Sequence, residues 1–325
     1  VLVRDFETND VAIGVAENIL HALRQPYFID SQNLYLSASI GMSFYPSDSH
    51  LSVDLLAKAD SALYRSKAAG KNIFQVYDSD HSATSQEQFN FGNELRRALD
   101  HDEFVLYYQP QMDLNSGQIT GLEALLRWQH PKRGLVMPGS FITVAEDRGM
   151  LGDIGDWILT ELSRNQRQLA DLGHQPQMAV NMAVSQFEQV DFVARLWRIL
   201  EANEADPSRI EIEVTERSML SDFDAAHYKL KELKGLGLKI ALDDFGSGYS
   251  SLGYLQHLEI DTLKMDRSLI ASMDENETDS KLTSRSRAIT RSIITLGKNL
   301  GLSVVAEGVE NEAQLDYLRE NGCDI

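Results

Sequence analysis

The chain has 325 residues, room for two domains of roughly 150 residues each, and 43% of them are hydrophobic, which suits packed globular cores. Its 30 basic and 49 acidic residues give a net charge of −19, a surface that argues against a polynucleotide partner, although carboxylates gathered round a divalent cation can still receive a small anion. No run reaches the roughly 20 apolar residues that span a bilayer, no signal-peptide pattern opens the sequence, and a lone cysteine, Cys323, fits a reducing, cytoplasmic compartment with no internal disulfide.

In chain order, residues 34–44 read LYLSASIGMSF and end at Tyr45-Pro46, the pattern of a buried strand closed by a turn. A helix follows: Ser52 can cap it, Leu56, Ala59 and Leu63 recur at helical spacing, and Gly70 stands where a left-handed C-terminal cap belongs. A short strand over 73–76 comes next. Between residues 78 and 88 the composition turns to Asp, Ser, His and Thr with little to bury, which places a domain junction near Ser85. Past it, Phe91, Leu95 and Leu99 share one helical face.

From Phe104 onward, short apolar runs alternate with amphipathic stretches. The expected strands are 105–109, 121–127, 177–182, 210–214, 239–243, 262–265 and 303–306, with helices in most of the gaps. Alternation of this kind predicts a parallel α/β sheet, and its length favours a TIM-like (βα)8 barrel over an open sheet. No Gly-x-Gly-x-x-Gly fingerprint follows any strand, which removes the main open-sheet dinucleotide fold.

Barrels of this kind carry their chemistry at the C-terminal ends of the strands, and here those ends are acidic. Glu123 interrupts GLEALLRW, Asn181 ends QMAVN, Glu213 and Glu216 end IEIEVTE, Asp243 and Asp244 end KIALDD, Lys264 sits in TLKMD, and Glu307 ends SVVAE. Each residue alone has an ordinary explanation: an isolated Glu is most often a helix cap or ion-pair member, Asn181 can cap a helix, and Lys264 can be a buried ion-pair partner. Together, converging carboxylates repel one another unless a cation or a proton intervenes. Oxygen donors without histidine or cysteine select hard ions, Mg²⁺ or Mn²⁺, which suit phosphoryl chemistry in a two-ion arrangement. Lys264 is then available to neutralise phosphate or orient water. The segment DDFGSGYSSL, residues 243–252, has the composition of a mobile active-site loop or of a plain strand-to-helix turn, and Glu216 is placed to anchor it.

The ordered motifs EALLRW (123–128), VN (180–181), EVTE (213–216), DDFGSGYSSL (243–252), DTLKMDRS (261–268) and AEGVE (306–310) resemble the EAL domain family, with the likeness running from YYQPQ at 107–111 to GCD at 322–324. The resemblance implies hydrolysis of cyclic-di-GMP to linear pGpG in bacterial signalling, dependent on Mg²⁺ or Mn²⁺. It implies metal binding by Glu123, Asn181, Glu213 and Asp243, with Asp244 serving a second ion. Lys264 and Glu307 match groups that activate or orient the water, Gln109 and Arg127 match residues lining the substrate site, and Glu216 matches the glutamate that steadies the DDFG loop. Where the family usually reads Val-Asn-x-Ser, this chain has Ala183, and it ends where the family places a glutamine, an eighth strand and a closing helix. The alternative implied function is a non-catalytic cyclic-di-GMP receptor acting through protein partners. Homodimerisation is common in the family, though no interface is legible here.

Residues 39–48 (SIGMSFYPSD) and 55–72 (LLAKADSALYRSKAAGKN) are similar to the C-terminal half of a GGDEF domain, the diguanylate cyclase fold, without its signature motif. The expected organisation is therefore a partial GGDEF domain over 1–80, a linker over 81–88 and an EAL domain over 89–325. A longer parent protein could still carry a membrane attachment.

Overall fold

The computed structural model describes residues 2–4, 9–23, 27–29, 32–34, 38–68, 73–78, 82–220, 222–246, 255, 257–273 and 280–325. The chain divides into two compact units, Val1–Glu94 and Leu95–Ile325. The cap expected at Gly70, most of the loop beyond Gly246 and residues 274–279 fall outside the described residues. Among the described residues no helix is long and apolar enough to cross a membrane.

In the first unit, helix Asn9–Leu23 buries Ala12, Ala16 and Leu20, a stripe at four-residue spacing. Strands β1 (Tyr27–Ile29) and β2 (Gln32–Leu34) pair antiparallel. β3 (Ile40–Met42) pairs in parallel with β4 (Phe74–Val76), and helix Ser52–Ala68 is the crossover between them. The single strand expected over 34–44 is thus met by the end of β2 and by β3, with 35–37 outside the described residues. Gly41 is what lets the crossover helix lie against β3: a Cβ there would stand 2.0 Å from the Ala59 carbonyl oxygen and 2.1 Å from the Leu63 nitrogen.

Helix Ser82–Asp100 occupies much of the polar stretch read as a junction, and the division between the units falls within it. No proline or glycine interrupts residues 82–91, so the polar residues extend the turns whose buried stripe is Phe91, Leu95 and Ala98.

The second unit is built on β5 (Phe104–Met112), β6 (Ile119–His130), β7 (Gly134–Val136), β8 (Gln177–Asn181), β9 (Ile210–Thr215), β10 (Lys239–Phe245), β11 (Thr262–Met265) and β12 (Ser303–Ala306). They form one curled sheet in the order β12-β11-β10-β9-β8-β6-β5, with β7 attached to β6. From β6 to β12 the main path is parallel, as the alternating pattern requires. The first strand corrects the all-parallel expectation, because β5 runs antiparallel to β6. Its connection, residues 113–118, is a tight turn in which the Asp113 carboxylate accepts from the Ser116 amide at 2.7 Å and the Asp113 amide donates to the Gln118 carbonyl at 2.9 Å. A link that short cannot make a parallel crossover. β7 was not expected either; Gly134, at φ 70°, makes its hairpin to β6 possible. The amides of Asp324 and Ile325 donate to the Val304 carbonyl of β12, and the Asp324 carbonyl accepts from Leu114, just past β5. The two ends of the sheet path therefore approach one another.

The strands are apolar on one face and polar on the other. Ile210, Ile212, Val214, Ile240, Leu242, Leu263 and Val304 are buried in one core with helix residues such as Leu196, Leu200, Leu230 and Leu233. Each such side chain contributes about 1.5–3 kcal/mol on burial. Glu211, Glu213, Asp243, Thr262 and Lys264 fall at the alternate positions of the same strands, so the sheet that buries the apolar face aligns the polar one. Helix Glu312–Glu320 is fixed at its start by a capping box in which the Asn311 side chain accepts from the Gln314 amide at 3.0 Å and Gln314 Oε1 accepts from the Asn311 amide at 3.3 Å. Asn311→Ala is expected to lower unfolding stability by about 1 kcal/mol in urea titrations, and Asn311→Ser to recover most of it.

Candidate functional site

Lys264 is the centre of the polar face. Its side chain is 1% exposed, and its Nζ lies 2.7 Å from Glu213 Oε2, 2.6 Å from Glu307 Oε1, 3.3 Å from Glu123 Oε2 and 3.7 Å from Asp243 Oδ1. Strands β6, β9, β10 and β11 and the end of β12 each supply one of these groups. Register explains the convergence: Glu213 stands level with Ala241 and Asn181, Ala241 with Thr262, and Lys264 with Val305, so residues of one parity meet in neighbouring layers. Asn181 joins through its amide, which donates to Glu123 Oε1 at 2.8 Å and leaves its own oxygen as an acceptor.

Asp243 and Asp244 would point to opposite faces of a regular strand. Here the β10–β11 register shifts between Leu242 and Phe245, and Asp244 takes φ 56°, a left-handed conformation that Asp tolerates. The irregularity returns Phe245, 2% exposed, to the apolar face and keeps both acids at the strand end. The Asp244 amide donates to Asp243 Oδ1 at 2.9 Å.

The electrostatics are those of surplus negative charge. Burial raises the Glu213 pKa well above the usual carboxylate value; Lys264 opposes the shift, while Glu123 and Asp243 add to it. Neither oxygen of Glu213 accepts a well-directed hydrogen bond, despite the close ion pair with Lys264. Burial likewise raises Glu307 and Asp244, Asp243 reinforces both, and Asp266 adds to Asp244. For Lys264, burial works against the ammonium, but Glu213, Asp243, Glu123 and Glu307 outweigh it and hold the pKa above the ordinary lysine value.

Four carboxylates thus share one ammonium, and the donors are all oxygens. Among the described residues no three His, Cys, Asp or Glu side chains form a ready-made metal cage, since the carboxylates are gathered on Lys264 Nζ. In charge and donor chemistry the residues fit a hard cation: the buried Glu213 carboxylate, which shares Lys264 with three other acids and is crowded by Glu123 and Asp243, is the group that such an ion would relieve.

The remaining sequence-expected residues lie at graded distance. Gln109 on β5 is the direct cross-strand partner of Glu123, and Arg127 lies on the same face of β6, four residues further along. Glu216 opens the short helix Glu216–Leu220 after β9 and is 4% exposed, outside the Lys264 cluster. Of the loop it is expected to steady, residues 243–246 are described and 247–252 fall outside the described residues.

Three groups at this face were not singled out from the sequence. Glu211 is 5% exposed one layer below Glu213 and accepts a 2.6 Å hydrogen bond from Thr262; the alternation in IEIE carried that signal. Asp266 caps helix Arg267–Ala271, accepting from the Ser268 amide at 2.9 Å, and its charge acts on Asp244. Tyr107 lies two residues before Gln109, a spacing that puts both on one face of β5.

Residues 92–325 match the model of the EAL domain, and residues 1–73 match that of the diguanylate cyclase GGDEF domain. The chain is 39% identical over 314 residues to the bifunctional diguanylate cyclase/cyclic di-GMP phosphodiesterase MucR of Pseudomonas aeruginosa, an alignment covering 96% of this chain and 45% of MucR. It is 36% identical over 312 residues to the cyclic di-GMP phosphodiesterase NbdA of the same organism, covering 96% of this chain and 39% of NbdA. The chain therefore spans less than half the length of these relatives. Among solved structures, the PaMucR phosphodiesterase in its c-di-GMP complex superposes with a TM-score of 0.67 at 40% identity, over 71% of this chain and 92% of that one. The EAL enzyme Bd1971, in a form bound to cAMP and cyclic-di-GMP, gives 0.68 at 31% identity over 86% and 72%.

Proposed function

This chain belongs to the EAL domain family, and from that premise we propose that it hydrolyses cyclic-di-GMP to linear pGpG with Mg²⁺ or Mn²⁺. The observation that carries the reading is the cluster at the strand ends: four carboxylates converge on one buried lysine, more negative charge than that single ammonium offsets. Glu123, Asn181, Glu213 and Asp243 would hold one ion and Asp244 would serve a second. When bound, the ions supply positive charge that polarises the phosphodiester and acidifies a water.

The chain's own residues divide the rest. Water adds to phosphorus as it loses a proton, one P–O3′ bond breaks, and the departing ribose oxygen takes a proton from solvent to end as a hydroxyl. Glu307, whose burial raises its proton affinity, takes a proton from the attacking water. Lys264, 2.6 Å from Glu307 Oε1, aims that carboxylate and restrains its neighbours. Arg127 offers a guanidinium for a phosphate, and Gln109, beside Glu123 across the β5–β6 pair, offers an amide to the same substrate. Glu216 steadies the DDFG segment at its edge.

The test is chromatographic analysis of cyclic-di-GMP incubated with the chain and Mg²⁺ or Mn²⁺, with EDTA controls. Metal-dependent pGpG is the expected outcome. A folded chain that binds the dinucleotide and leaves it intact would instead make this a receptor.

A further inference from the structure

Tyr107 is the aromatic residue on a face of the β5–β6 pair that also carries Val105, Leu125 and the polar groups Gln109, Glu123 and Arg127. It is 47% exposed, while its neighbours Phe104 and Trp128, on the opposite face of the β5–β6 pair, are 2% and 0% exposed. The register puts Tyr107 opposite Leu125 and Gln109 opposite Glu123, so Tyr107, Gln109, Glu123 and Arg127 share one face, with Tyr107 diagonal to Arg127. The Arg127 guanidinium carbon sits 5.7 Å from the centre of the Tyr107 ring, and its Nη1 donates to the Leu126 carbonyl at 2.7 Å. One group of the guanidinium is thus tied to its own strand, and its plane rests near an aromatic ring that solvent reaches.

We infer that Tyr107 is a positioning residue for substrate: its ring holds the Arg127 guanidinium in the orientation that receives a phosphate of the cyclic dinucleotide. An arginine free on an exposed strand samples many rotamers, and restricting them before the ligand arrives lowers the cost of binding. A cation–π contact at a partly exposed site is worth enough to change affinity by several-fold, and it acts on orientation without contact between Tyr107 and the reacting phosphorus. The ring, and not the hydroxyl, performs this role, because the contact is to the ring face.

This inference rests on the phosphodiesterase reading, and its test separates the two. Steady-state kinetics with cyclic-di-GMP are compared for the unaltered chain, Tyr107→Phe, Tyr107→Leu, Arg127→Ala and the double variant Tyr107→Leu/Arg127→Ala. Tyr107→Leu is expected to raise KM about two- to fivefold with kcat unchanged, and Tyr107→Phe to leave KM nearly unchanged. In the Arg127→Ala background, Tyr107→Leu is expected to add nothing further. The same Tyr107→Leu penalty with and without Arg127, or a full penalty in Tyr107→Phe, overturns the inference. If the unaltered chain binds without turnover, Kd by calorimetry replaces KM in the same cycle and the same outcomes decide. An unaltered, folded chain that neither cuts nor binds cyclic-di-GMP removes the functional reading, and this inference with it.

Discussion

Glu123→Ala is expected to reduce metal-dependent cleavage of cyclic-di-GMP by about a thousandfold or more, with little loss of stability. Glu123 links two parts of the cluster, accepting from Asn181 on one oxygen and lying 3.3 Å from Lys264 Nζ on the other. Its side chain is 14% exposed, so truncation opens the site to water and leaves no large dry cavity. Glu123→Gln separates charge from shape: an amide can keep a polar contact to Asn181 but brings no negative charge to a cation. If ionic binding is what Glu123 supplies, the Gln variant is nearly as inactive as the Ala variant, and raising Mn²⁺ recovers part of the rate in both. Initial rates of pGpG formation across a Mn²⁺ titration provide the check. Near-normal turnover in Glu123→Ala would falsify the assignment of the cluster as the catalytic centre.

The strands that carry this cluster were legible because of what surrounds them. Strands 262–265 and 303–306 read to the residue, since each is a short, mostly apolar run bounded by polar residues, and a parallel sheet covered by helices demands that pattern. The acids were legible for the opposite reason: a carboxylate ending an apolar run is costly unless something compensates it. Geometry between strands was less visible. The antiparallel turn of β5 into β6 depends on a six-residue link whose Asp113–Ser116 contacts are local, whereas the expectation was drawn from the regular alternation further along. The shift at Asp243–Asp244 is an irregularity that periodicity smooths over. The polar composition before Phe91 gave no hint that the backbone is helical from Ser82.

Lys264 shows the same limit from another side. Its position in TLKMD is plain in the sequence, but nothing there reveals that it touches carboxylates from four other segments. Sequence spacing ranks Lys264 as one candidate among several; packing makes it the hub. Tyr107 and Glu211 were missed because each precedes a more conspicuous residue by two positions, where strand alternation, applied consistently, would have found them.

Lys264→Met is expected to lower stability by about 3–5 kcal/mol at neutral pH in EDTA, besides abolishing turnover. Methionine fills much of the same buried volume, so the loss comes mainly from charge: Glu213, with its side chain 0% exposed, keeps its burial and loses its nearest cation. Burial already raises the Glu213 and Glu307 pKa values, and removing Lys264 takes away the group that opposed both shifts. The folded variant then binds more protons than the unfolded chain above the ordinary carboxylate pKa, so its stability falls as pH rises. Its deficit against the unaltered chain should accordingly be smallest near pH 5 and grow toward pH 8. Urea denaturation at several pH values measures this directly. A divalent cation should narrow the gap at pH 8, because a second positive charge can take over part of what the ammonium did. A Lys264→Met chain as stable as its parent at pH 8 in EDTA would mean that these carboxylates are already neutral when folded. The cluster would then lack the charge that the proposed ion binding requires.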